Sequence, residues 1–137
     1  MRIFKTKWFV RYARHERLGD HSLRDTIERA ESGLLDANLG SGIIKQRIAR
    51  TGQGRSSGYR LLIAYRSGDR AVFLYGFAKN ERDNIGNDEM ETLREIGAAW
   101  LEAKVERLEH AIKEGILQEV NYGNEKQKTW SAGKSDA

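Results

Sequence analysis

The chain has 137 residues, 24 Lys plus Arg against 20 Asp plus Glu, and neither cysteine nor proline. It reads as one domain that can build a core without staples, burying roughly two-thirds of the unfolded surface at this length. The missing cysteines exclude a disulfide framework, thiolate metal sites, iron–sulfur clusters and a cysteine nucleophile. No apolar run nears the roughly 20 residues that cross a bilayer and no signal-peptide pattern opens the chain, so a cytoplasmic protein without membrane association is expected.

Residues 1–6 offer a short strand around Ile3 and Phe4. Trp8, Phe9, Tyr12 and Ala13 then fall on one helical stripe across 7–17, with Trp8, like Trp100 further on, expected to fill the core. A second helix is predicted from Ser22 and Asp25, a capping-box-like start, through Leu23, Ile27 and Ala30 to a stop at Gly33. The period then changes. Ile43, Ile44 and Ile48 around Lys45 and Arg47 predict a strand, and a Gly/Ser-rich loop from Thr51 to Gly58 leads into a second strand over 59–65. Ser67-Gly68-Asp69 turns the chain into a third strand over 71–77. A long helix follows from Asn87 or Asp88 to Gly115, with a break near Gly97 or Ala103 allowed by its length, and 116–120 reads as a short strand or docked segment. The pattern βααβββα predicts an α+β fold, a small antiparallel sheet with an N-terminal helical hairpin and a long C-terminal helix. Residues 1–122 form the expected domain and 123–137 a polar, frayed tail.

The overall charge of +4 conceals a partition: residues 43–82 hold 9 basic and 2 acidic side chains, and residues 83–115 hold 4 basic and 9 acidic. Clustered cations of this density attract polyanions. They centre on Lys45, Arg47 and Arg50, then Arg55 in the glycine-rich loop, Arg60, and finally Lys79, Asn80 and Arg82. Lys45 and Arg47 lie two apart on a strand and so share a face. Cleaving RNA requires deprotonation of the 2′-hydroxyl, neutralisation of the pentacovalent phosphate and protonation of the leaving oxygen. Arginine's fork suits the second task, and a lysine crowded by other cations suits the first, because like charge disfavours its protonated form. Binding phosphates without cleavage needs only the same cations. Tyr59 is positioned to stack a base or to pack in the core. The G-x-G-x-x-x-G run of 52–58 is neither a dinucleotide fingerprint nor a Walker loop. His15, His21 and His110 share no ligand spacing, so neither a metal nor a cofactor is expected.

The runs Gly33-Leu34-Leu35-Asp36-Ala37-Asn38-Leu39-Gly40, Ile44-Lys45-Gln46-Arg47-Ile48-Ala49-Arg50, Ser57-Gly58-Tyr59-Arg60 and Tyr75 through Ile85 together resemble the RelE/HigB-like toxins of type II toxin–antitoxin modules, over about residues 3 to 120. The resemblance implies a microbial-RNase-like fold and a metal-independent, ribosome-dependent mRNA endonuclease that inhibits translation. It also implies restraint by a cognate antitoxin, often one with a helix-turn-helix domain. Carried over by position, Lys45 and Arg47 match the basic pair on the sheet, with Lys45 as candidate base. Arg60 matches the arginine on the scissile phosphate, and Lys79 completes the catalytic set. Arg50, Arg55, Tyr59, Asn80 and Arg82 are the corresponding RNA-binding candidates. Asn80 stands where many relatives have arginine, and no Tyr or His occupies Ile85–Gly86, where the family places a base-stacking tyrosine. A ParE-like toxin that inhibits DNA gyrase and a non-catalytic nucleic-acid-binding module are the alternative readings.

Overall fold

A computed structural model of the chain describes residues 1–49, 58–82 and 84–121. In chain order these form β1 (Arg2–Thr6), α1 (Lys7–Glu16), α2 (Asp20–Glu31), β2 (Ala37–Gly40), β3 (Ile43–Ile48), β4 (Tyr59–Arg66), β5 (Arg70–Ala78), α3 (Asn87–Glu102), α4 (Val105–Lys113) and β6 (Leu117–Glu119). The strands make one sheet in the order β2-β3-β4-β5-β1-β6. Neighbours are antiparallel except β1 and β5, which run parallel from Arg2↔Arg70 to Lys5↔Phe73. The fold is α+β as expected, but the sheet has one parallel pair and one unpredicted strand, β2, while β6 is the short strand that 116–120 allowed.

Apolar residues divide between the two faces of the sheet by simple alternation. Ile3, Ile44, Leu61, Ile63 and Phe73 join Phe9, Leu23 and Ile27 of α1 and α2 in one core. Phe4, Ile43, Leu62, Val72 and Leu74 join Leu101 and Leu108 of α3 and α4 in the other. Strands covered on both sides therefore read as continuous apolar runs, the pattern of Leu61 to Ala64. Burying such side chains contributes about 1.5–3 kcal/mol each.

Helix ends follow the sequence where the cap is local. Thr6 accepts the amide of Phe9 at 3.2 Å and opens α1. Gly33, at φ +88°, closes α2: its amide reaches Ala30 at 3.0 Å and that of Leu34 reaches Arg29 at 2.8 Å, a Schellman closure that only a left-handed residue permits. The start of α2 departs from expectation. The helix begins at Asp20 behind Gly19, without a side-chain cap, because Asp20 accepts Lys5 Nζ at 2.8 Å and the Asn121 amide at 3.1 Å.

The long C-terminal helix is broken into two, at Ala103 and not at Gly97 of the two places its length allowed. Ala103 and Lys104 are extended, and the buried Arg70 of β5 donates Nη1 to the carbonyls of Trp100 at 3.0 Å and Ala103 at 2.6 Å. A cap supplied from another element thus ends α3 where no glycine or proline does. Trp100, expected in the core, is only half-buried under the Arg107 guanidinium, 5.0 Å from its ring centre. Gly97 lets α3 approach the sheet: a Cβ there would lie 2.9 Å from Ile43 Cδ1 and 3.1 Å from Ala64 Cβ. The expected tail, 123–137, lies outside the described residues.

Candidate RNA-facing site

Cross-strand register aligns the sheet face that meets α3 into rows. Ile43, Ala64 and Val72 form one row; Lys45, Leu62 and Tyr75 the next; Arg47, Arg60 and Phe77 the third. Gly97 of α3 sits on the first row through Ile43 and Ala64. The cationic rows lie beyond that contact, on the end of the sheet where β5 runs out into Lys79 and Asn80. Alternation thus brings Lys45, Arg47 and Arg60 to one face, as the sequence predicts.

Each cation is held differently. Arg60 is buried to 6 % exposure, whereas Lys45 is half-buried and Arg47 exposed. Arg47 Nε lies 3.5 Å from Asp36 Oδ1, and its backbone amide donates to Asp36 Oδ2 at 2.6 Å. Arg29 closes this corner from α2, donating Nη2 to the Arg47 carbonyl at 2.6 Å and facing Asp36 Oδ2 at 3.7 Å. Between Lys45 and Arg47, Gln46 points the other way and has no exposure. Its amide donates to the carbonyls of Thr26 at 3.1 Å and Leu34 at 3.2 Å and accepts the Asp36 amide at 2.8 Å. Asp36, Arg29 and Gln46 are supporting residues that sequence reasoning did not select. The polar Gln46 at an inward position of an otherwise apolar strand was the available signal.

Lys79 and Asn80 are exposed just past β5, with the Lys79 amide donating to the Gly58 carbonyl at 3.0 Å. Arg82 turns back over the site. Its guanidinium lies 5.8 Å from the Phe77 ring centre, donates to the Tyr75 hydroxyl at 3.4 Å and reaches Glu89 Oε1 at 2.8 Å. Glu89, in the first turn of α3, also accepts the Gly86 amide at 3.0 Å. The Arg82 hydrogen bond lowers the Glu89 pKa, and Glu89 in return raises that of Arg82. Arg82 is thus engaged by a carboxylate at the edge of the cationic face.

Two aromatic residues are decided by the fold. Tyr59, an RNA-binding candidate read as stacking a base or packing in the core, does the second: it is 6 % exposed and edge-on to Tyr12 with centroids 6.4 Å apart. Alternation puts it on the face opposite Arg60. Trp8, expected in the core, is 38 % exposed. Its ring stacks on Tyr12 at 5.1 Å and on Tyr75 at 4.6 Å. Pairing of β1 with β5 ends at Lys5↔Phe73, so α1, starting at Lys7, lies beside the part of β5 that carries Tyr75.

Arg50 and Arg55 lie outside the described residues. Arg66 and Arg70 belong to the basic segment but not to this site: they sit opposite each other at the far end of β4 and β5, Arg66 against Asp69 and Glu102 and Arg70 on α3. No group of three or more His, Asp or Glu side chains suited to a metal converges among the described residues. No helix among them is long and apolar enough to cross a membrane.

A family model described as the RelE toxin of the RelE/RelB toxin–antitoxin system matches residues 1–120. No curated protein matches the chain.

Proposed function

The chain belongs to the RelE toxin family of toxin–antitoxin modules, with an antitoxin as its partner, and from that premise we propose that it is a ribosome-dependent mRNA endonuclease. The observation that carries this reading is the cross-strand row of Arg47 and Arg60 with Lys45 on the same face. In it, the buried Arg60 and the exposed Arg47 stand beside the half-buried Lys45. Lys45 is the candidate base that takes the 2′-hydroxyl proton as the 2′-oxygen bonds to phosphorus. Arg60 and Arg47 bind the non-bridging oxygens, whose negative charge grows in the transition state. The bond from phosphorus to the 5′-oxygen breaks, and that oxygen takes a proton from a neighbouring cation, with Lys79 the candidate donor. The products are a 2′,3′-cyclic phosphate and a 5′-hydroxyl, with no redox change. An antitoxin with a helix-turn-helix domain and an acidic covering segment fits the cationic face, and the cytoplasm is the compartment that holds its ribosomal substrate.

Expression in growing cells is expected to arrest translation and to leave codon-linked cuts in ribosome-bound mRNA. Arg60→Ala combined with Lys45→Ala should lower cutting by at least about 10²-fold, the scale for losing a transition-state donor. Intact mRNA in arrested cells would defeat this reading, and DNA breaks in those cells would replace it with gyrase inhibition.

A further inference from the structure

Strand β2 starts at Ala37, opposite Lys45, so β3 continues through Gln46, Arg47 and Ile48 with no strand beside it on that edge. At Arg47 two side chains take the place of the strand. Asp36, the residue just before β2, accepts the Arg47 amide through Oδ2 at 2.6 Å, and Arg29 of α2 donates Nη2 to the Arg47 carbonyl at 2.6 Å. Water would satisfy an edge amide and carbonyl. Charged partners hold them instead, through the stronger kind of hydrogen bond.

The same carboxylate also reaches the side chain. Asp36 Oδ1 lies 3.5 Å from Arg47 Nε, so its two oxygens hold Arg47 at both ends, one at the backbone and one at the inner edge of the guanidinium. The outer Nη pair makes no hydrogen bond among the described residues, and that edge is the one a phosphate can take as a fork. Nor does Asp36 cancel the charge, because Arg29 Nη1 faces it too, at 3.7 Å, and the three groups together stay positive. Arginine loses much rotamer freedom when it is ordered, and a fork ordered in advance spares that cost on binding. We propose that Asp36, braced by Arg29, is a positioning residue that presets the Arg47 fork to receive an RNA phosphate beside Arg60. The proposal rests on the phosphate reading of the cationic rows given above and adds the group that orients one of their members.

The test is fluorescence anisotropy of a short labelled single-stranded RNA over a range of salt concentrations, with Asp36→Asn, Arg47→Ala and the double variant. The sign of the change is diagnostic. Removing a negative charge beside a polyanion site should by itself tighten binding, whereas loss of positioning weakens it. Asp36→Asn is expected to weaken binding at least about threefold, toward the low end of coupling within one hydrogen-bonded network. It should also lower the log–log salt slope by up to about one phosphate contact, as Arg47→Ala does. In the Arg47→Ala background, Asp36→Asn should weaken binding no further. Tighter or unchanged binding by Asp36→Asn, or the same loss with and without Arg47, overturns the proposal. Arg47→Lys, at an exposed position, supplies an arm that does not depend on Asp36→Asn folding. It keeps the charge but has no Nε for Asp36, and should bind closer to Arg47→Ala than to wild type; wild-type affinity there overturns the proposal as well. If Arg47→Ala binds as wild type does, or wild type binds no RNA, the phosphate reading of Arg47 fails and the proposal falls with it.

Discussion

At the scale of single residues, the fold spends its polar groups unevenly. The Tyr12 hydroxyl is buried with no hydrogen-bond partner among the described residues, and burial pushes its pKa up. An unpaired buried hydroxyl costs about 1–3 kcal/mol. Tyr12→Phe keeps the ring against Trp8 and should leave stability unchanged or raise it by up to about 1 kcal/mol, read as a higher thermal midpoint. Glu31 is the opposite case. It accepts the Tyr65 hydroxyl and the Gly68 amide, and the Tyr65 bond is the leading cause that lowers its pKa in the folded chain. Its contribution is therefore present above the pKa of a free glutamate, about 4.3, and lost as pH falls through the lower folded value. Urea midpoints measured from pH 7 down to pH 3 should fall less steeply in Glu31→Gln. The sequence made Lys45, Arg47 and Arg60 legible because strand alternation is local. Trp8 was not legible, and Tyr59 only as a choice between base and core, since the wet side of an aromatic residue depends on which helix lies over it and where the neighbouring strand stops.

At the scale of elements, what was legible depended on where the cap comes from. Gly33 and Gly115 end α2 and α4 as their sequence predicts, each with a positive φ. The break between α3 and α4 carries no local mark, because its cap is Arg70, 33 residues away in sequence from Ala103. Arg70→Leu keeps much of the apolar stem but leaves two carbonyls without their charged donor. A loss of about 1.5–3 kcal/mol is expected from a buried charged hydrogen-bonding group, measured by chemical denaturation, with α3 and α4 the elements that gain amide exchange. β2 escaped prediction for a different reason. Ala37–Gly40 contains no β-branched or aromatic residue, and it pairs with β3 across a turn in which Ser41 and Gly42 both take positive φ. Gln46 then ties the chain just before β2 to α2 through its three hydrogen bonds. That brace sets the backbone on either side of Lys45 and Arg47.

For the whole molecule, the acidic segment proves to be more than a counterweight to the basic one. It supplies α3, which covers the near end of the cationic face and brings Glu89 onto Arg82. The basic segment likewise splits, Arg66 and Arg70 anchoring the far end of the sheet and Lys45, Arg47 and Arg60 facing the proposed substrate. Glu89→Gln should release Arg82 toward phosphate, tightening RNA binding a few-fold and steepening its dependence on salt by up to about one unit of log–log slope. Anisotropy titrations over a range of salt concentrations measure both. The parallel placement of β1 has a further consequence, for the order of assembly. β1 lies between β5 and β6, with Phe4 opposite Glu119 and the Val120 amide on the Ile3 carbonyl at 2.8 Å. The β2–β5 meander, with its proposed phosphate-binding rows, closes from short-range contacts, whereas β1 must wait for long loops to close on both sides of it. During synthesis β1 thus leaves the ribosome well before its last partner and stays without it until residues 117–120 have emerged.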